Sequence, residues 1–136
     1  MREILFRGKR KDSGEWVYGF YTCIDELCFI SLSQTYIDKV EVDPKTVGQY
    51  IGINDKNGKK IFEGDLILDM HHSYRNGFGA VEWLDDICSF GIAYKNYDSF
   101  DIYTFNGLLR AGNRNKFAVI VVGNIYDNPE MLEVEK

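Results

Sequence analysis

The stretch DPKTVGQYIGINDKNGKKIFEGDLI, residues 43–67, constrains the fold most. One proline and four glycines break it into apolar runs too short for a packed helix. QYIGI, KIF and LILDM read as strands. Asn57-Gly58 between two of them predicts a two-residue hairpin turn of type I′, which needs positive φ at both central positions. Gly64 in EGD, beside Asp65, relieves a second tight corner. Asp43 before Pro44 predicts an N-cap and first residue of one helical turn, which Gly48 stops. Asp43, Gly48, Asn57, Gly58, Gly64 and Asp65 are therefore turn and packing residues. No glycine is left over for a ligand loop.

The same punctuation recurs on both sides. EWVYGFYTC (15–23) and LCFISL (27–32) form a hairpin across an acidic connection, and REILFRGK (2–9) adds a third strand. From Asp65 onward come DLILDM, GAVEWL, SFGIAYK, FDIYTF and KFAVIVVG, joined by polar or glycine-bearing links. Short strands at regular turn spacing predict a barrel or sandwich, here of SH3-like size. DNPEMLEVEK fits a short helix capped by Asn128, with Pro129 first and Glu130 in its first turn. The expectation is one mainly β domain. An antiparallel N-terminal meander covers 1–60, an SH3-like small barrel 61–126, and a short helix or tail 127–136.

Composition agrees with strands. Aromatic residues make up 15% of the chain and only two residues are proline. No apolar run is long enough to span a membrane. Three cysteines, an odd number, and an N-terminus without an export signal predict a reducing, cytoplasmic setting.

Chemical motifs are absent. Gly52…Gly58-Lys59 is not a phosphate loop, because it lacks the required hydroxyl after the lysine and the following helix. His71 and His72, with Asp69 before them, read as exposed loop histidines. On a strand they would point apart; in a loop both could reach one metal, but no CxxC pair completes a tetrahedral set, so no metal is expected. Acidic pairs such as Asp85-Asp86 sit in turns, where aspartate favours corners. No nucleophile–base arrangement is visible. The expectation is no catalytic residue, no cofactor and no enzyme; an unannounced site on a small barrel is the third alternative.

Charge and aromatics are distributed less evenly. The net charge is −5, yet the N-terminus gathers Arg7, Lys9, Arg10 and Lys11, while the C-terminus is acidic. Basic side chains beside Trp16 and Tyr18 make a possible nucleic-acid platform of charge plus stacking. They also suit an acidic tail on a neighbouring subunit, or plain solvation. Trp16, Tyr18 and Phe20 point one way along their strand, Val17 and Tyr21 the other. With both faces apolar, the strand predicts a homo-oligomer whose interface includes Trp16, Val17, Tyr18 and Tyr21. Two function classes follow: a non-enzymatic, oligomeric protein-interaction module, or a nucleic-acid-binding protein using the basic, aromatic N-terminal region.

FRGKRKDSGEWVYGFY, VDPKTVGQYIGINDKNGKKIFEGDLI and VVGNIYDNPEML, in that order, resemble the YopX family of bacteriophage and prophage proteins. Residues 71–115 match little beyond their strand pattern. The resemblance implies a mainly β, self-assembling protein with an SH3-like portion. It also implies a bacterial host cell and an unknown phage or host protein as partner. It brings no activity, cofactor or catalytic residue.

Overall fold

The computed structural model describes residues 3–33, 37–69, 79–95, 100–104 and 119–132. The chain is mainly β, and its sheets are antiparallel. The strands are β1 (Phe6–Arg10), β2 (Trp16–Ile24), β3 (Leu27–Ser31), β4 (Lys39–Asn54), β5 (Lys60–Phe62), β6 (Asp65–Asp69), β7 (Gly79–Leu84), β8 (Ser89–Lys95), β9 (Phe100–Thr104) and β10 (Val119–Asn124). Backbone contacts divide the chain into two compact units, Met1–Gly52 and Ile53–Lys136. Among the described residues, no helix is long and apolar enough to cross a membrane.

In the first unit β1, β2, β3 and β4 pair in sequence, and β4 also pairs with β1, closing a ring. The ring closes because β2 changes partner partway along. Trp16–Gly19 pair with β1, and Phe20–Ile24 pair with β3. Gly19 is the corner: a Cβ there would run into the backbone carbonyl of Ser31, so only glycine permits this approach. Ile30, Val42 and Cys28 form the core, with Val17, Tyr21, Val40 and Val47 packed around them.

β4 differs from the expected helical turn after Asp43. The strand continues through Pro44, and its register against β1 shifts between Arg7 and Lys9. Asp43 Oδ1 accepts from Lys45 N at 3.0 Å. The Thr46 hydroxyl donates to the Asp43 carbonyl at 2.7 Å and accepts from Lys9 N at 2.8 Å. A bulge thus absorbs the proline, whose missing N–H would otherwise break a ladder. Gly48 ends nothing: it is buried in mid-strand, directly opposite Arg7.

The second unit orders its sheet β10-β6-β7-β8-β9, the last strand returning beside the first. That is the connectivity of an SH3-like meander. Ile61, Phe62, Leu66, Ile67, Val81, Ile92 and Val119 are buried in it, and Trp83 packs edge-on against Phe90 with ring centroids 5.0 Å apart. Gly58 has the expected positive φ, +82°. The turn nonetheless differs from type I′, because Asn57 does not share it. Gly58 N donates to Asp55 O and Asp55 N to Lys59 O, which makes a three-residue loop with glycine in the bulge position. The Asp55 side chain decides between the two turns. Its Oδ1 accepts from Asn57 N at 2.8 Å and Lys59 N at 2.9 Å, and its Oδ2 from Val121 N at 3.0 Å.

The corner at Gly64 has φ +87°. Gly64 N donates to Val81 O and its carbonyl accepts from Ile125 N, both at 2.8 Å. Buried Asp65 accepts from Phe62 N at 2.8 Å. At the C-terminus a single 3-10 turn spans Pro129–Leu132. Asn128 does not cap it from its side chain, whose Oδ1 turns back to accept from Asn124 N at 3.3 Å. His71 and His72 lie outside the described residues, as do 105–118 and 133–136.

Candidate functional site: the outer face of β2 and its hairpin arm

Alternation along a strand assigns each side chain a face. Val17 and Tyr21 turn inward onto the first unit's core, and Tyr21 meets the Phe6 ring at 5.6 Å between centroids. Those two candidate interface residues are therefore already packed within the chain. Trp16, Tyr18, Phe20, Thr22 and Ile24 take the outer face. Leu27 and Phe29 of β3 join them, being directly opposite Ile24 and Thr22. Tyr18 is 48% exposed, Phe20 38%, Ile24 57% and Leu27 49%. Such a row of large apolar groups in water is characteristic of a binding surface.

The basic residues divide in two. The Arg7 guanidinium lies 4.6 Å and the Lys9 ammonium 5.4 Å from the centre of the Trp16 ring, within the range of cation–π attraction. Arg7 is only 5% exposed. On the far side of the arm, Lys39 sits 4.9 Å over Phe29. Arg10 instead reaches Asp12 through two hydrogen bonds of 3.1 Å, and Lys11 pairs with Glu41 at 3.1 Å. The hydrogen bond from Arg10 holds the Asp12 carboxyl below its ordinary pKa, and the same bond raises that of Arg10. Of the four candidate nucleic-acid contacts, Arg7 and Lys9 thus gather around Trp16, while Arg10 and Lys11 meet acidic neighbours.

Beyond Gly19, β2 pairs only with β3 among the described strands. Phe20–Thr22 lie opposite Phe29–Ser31, which pair with β4 on their other side, so Cys23–Ile24 and Leu27–Cys28 form a short two-stranded arm that ends in the turn Asp25-Glu26. Asp25 takes a left-handed φ of +56°. Near the tip Cys23 and Cys28 lie directly opposite each other and are joined by a disulfide, with Cα atoms 4.1 Å apart. The Tyr21 hydroxyl lies 3.0 Å from the Cys23 sulfur.

Sequence reasoning left Ile24, Leu27, Phe29 and Lys39 out of this surface. The signal was present: the period-two pattern through Trp16, Tyr18 and Phe20 extends to Ile24, and the hairpin register adds Leu27. Asp43 and Gly48 sit in the bulge and ladder of β4, and Asn57, Gly58, Gly64 and Asp65 in turns of the second unit. Among the described residues, no group of three His, Cys, Asp or Glu is placed to hold a metal.

No curated protein matches the chain. A solved structure of protein EF1440 from Enterococcus faecalis is similar, at 20% identity over 98% of this chain and 100% of that one, with a TM-score of 0.49. The family model described as YopX protein matches residues 5–133, and the chain belongs to the YopX family.

Proposed function

We propose that this YopX-family chain is a non-enzymatic interaction module of bacteriophage or prophage biology, acting in the bacterial cytoplasm. It self-associates through the outer face of β2. One observation carries the reading: Tyr18, Phe20, Ile24 and Leu27 are exposed together on one face of one hairpin. Burying a side chain of this size contributes roughly 1.5–3 kcal/mol, so a few of them suffice to hold a partner once the costs of association are met. A second copy is the natural occupant. The face is self-complementary in type, with aromatic rings beside cations, and homo-oligomers usually close by point symmetry. Light scattering behind a sizing column tests this; a single monomeric species at micromolar concentration would falsify it.

The second reading is nucleic-acid binding, supported by the Arg7 and Lys9 cations around Trp16. It ranks below self-association because Arg7 is buried and Arg10 and Lys11 already meet carboxylates. Single-stranded and duplex DNA binding, measured at low and moderate salt, separates the two. Phosphate-driven binding weakens steeply with salt, whereas self-association through apolar side chains does not.

A further inference from the structure

The arm has three properties that bear on its cysteines. Its two strands, Cys23–Ile24 and Leu27–Cys28, extend past the last β3–β4 pair at Phe29 and have only each other among the described pairings, and an isolated two-stranded hairpin is marginal in water. Its turn is closed by a non-glycine residue at positive φ, Asp25, a conformation that aspartate tolerates at some cost. Its sulfurs are unequal. Cys23 is exposed, while Cys28 is 7% exposed and packs with Ile30 and Val42. Exposed disulfides are the labile ones. A reduced Cys28 keeps its place in the core as a small hydrophobe.

We propose that Cys23 and Cys28 form a reversible dithiol–disulfide couple that sets how firmly the arm is held. Cys23 is the sulfur attacked, and Cys28 the sulfur that leaves. A thiolate of an external dithiol bonds to Cys23 Sγ as the Cys23–Cys28 bond breaks. The electron pair departs on Cys28, which takes up a proton. The second thiol of the reductant then displaces Cys23 as a thiol. The external dithiol is oxidised to its disulfide, and the pair gains two electrons and two protons. In the oxidised state the strands are tied near the tip. In the reduced state the tip opens, while the ring keeps its own ladders between β1 and β4.

The couple requires no partner, so its test is separate from that of self-association. Cys88, exposed and free, is the internal control. In air-oxidised full-length protein, alkylation followed by mass spectrometry should modify Cys88 alone; after dithiothreitol it should modify all three cysteines. Reduction should speed amide exchange in residues 23–28 by on the order of tenfold and leave the amides of Tyr50 and Lys11, which bond across the ring, unchanged. With glutathione disulfide, Cys28→Ser protein should form a mixed disulfide at Cys23 readily. Cys23→Ser protein should react at Cys28 on the order of tenfold more slowly. Three reactive thiols without reductant would overturn the couple. Exchange unchanged by reduction, or accelerated equally through the ring, would overturn its local control of the arm. Equal reactivity of the two variants would overturn the choice of Cys23.

Discussion

The first unit wraps β1 to β4 around Ile30 and Val42 and leaves aromatic rings on its outside. The second encloses Ile61, Leu66, Ile67 and Ile92 and draws the Asp55 and Asp65 carboxylates inside as well. Both units bury polar groups, the first Arg7, Ser31 and Thr46, and both expose apolar ones, the second Trp83 and Ile87; the first differs in gathering four exposed apolar side chains on one hairpin face. In the second unit the buried carboxylates have a structural cause: each accepts from named backbone amides. In the first unit Tyr18, Phe20, Ile24 and Leu27 share one exposed face of one hairpin, and the binding surface is proposed there for that reason.

The largest expected effect breaks the first unit. Gly19→Val places a side chain on the Ser31 carbonyl, and the corner cannot yield without losing the β2–β3 register. The cost is about 3 kcal/mol or more. Hydrogen exchange would locate the loss in β1 to β4; full protection there would mean that the corner is not fixed by Gly19.

Next is Asp55→Ala in the second unit. It removes the acceptor of three backbone N–H groups, at about 3 kcal/mol for charge-assisted bonds to a buried group. Urea unfolding reads this directly. A change below about 1 kcal/mol would mean that water replaces the carboxylate at little loss.

How much of this was legible depends on distance along the chain. β7 and β8 were readable to the residue, because GAVEWL and SFGIAYK alternate and polar links bracket them. The two faces of β2 were readable for the same reason. Asp55 was not, because its bond to Val121 N spans 66 positions. Nor was the course of β4: Pro44 argues locally for a helical turn, and only Lys9, 37 residues from Thr46, shows that a bulge accommodates it. Ring closure through β1 and β4 is likewise a non-local pairing without a local signature. The site followed the same rule. Trp16, Tyr18 and Phe20 came from alternation, whereas the inward packing of Val17 and Tyr21 required knowing what lay opposite.

A smaller effect sharpens the turn assignment. Gly58→Val should cost about 1–2 kcal/mol, since a β-branched residue resists φ near +80°. Gly58→Asn should cost less, because asparagine tolerates this region. Equal destabilisation by the two would point to a packing role for the glycine instead.

The smallest effect concerns Arg10 and Asp12. Asp12 has a lowered pKa in the folded state, so its contribution is present above the ordinary aspartate range and is lost as pH falls through the lowered value. Because both groups are solvent-exposed, Asp12→Asn should move the neutral-pH urea midpoint no further than replicate curves scatter. A clear shift would mean that this pair supports the ring and is more than a surface contact.

The central claim is that the outer face of β2 is where copies meet. The most direct test is sedimentation velocity of wild type against Tyr18→Glu/Phe20→Glu, with circular dichroism as the check on folding. The expected result is an oligomer for wild type and a folded monomer for the variant, since both side chains already reach solvent in the single chain and their replacement leaves the core intact. A folded variant that sediments as the same oligomer as wild type would contradict the assignment of the interface to this face.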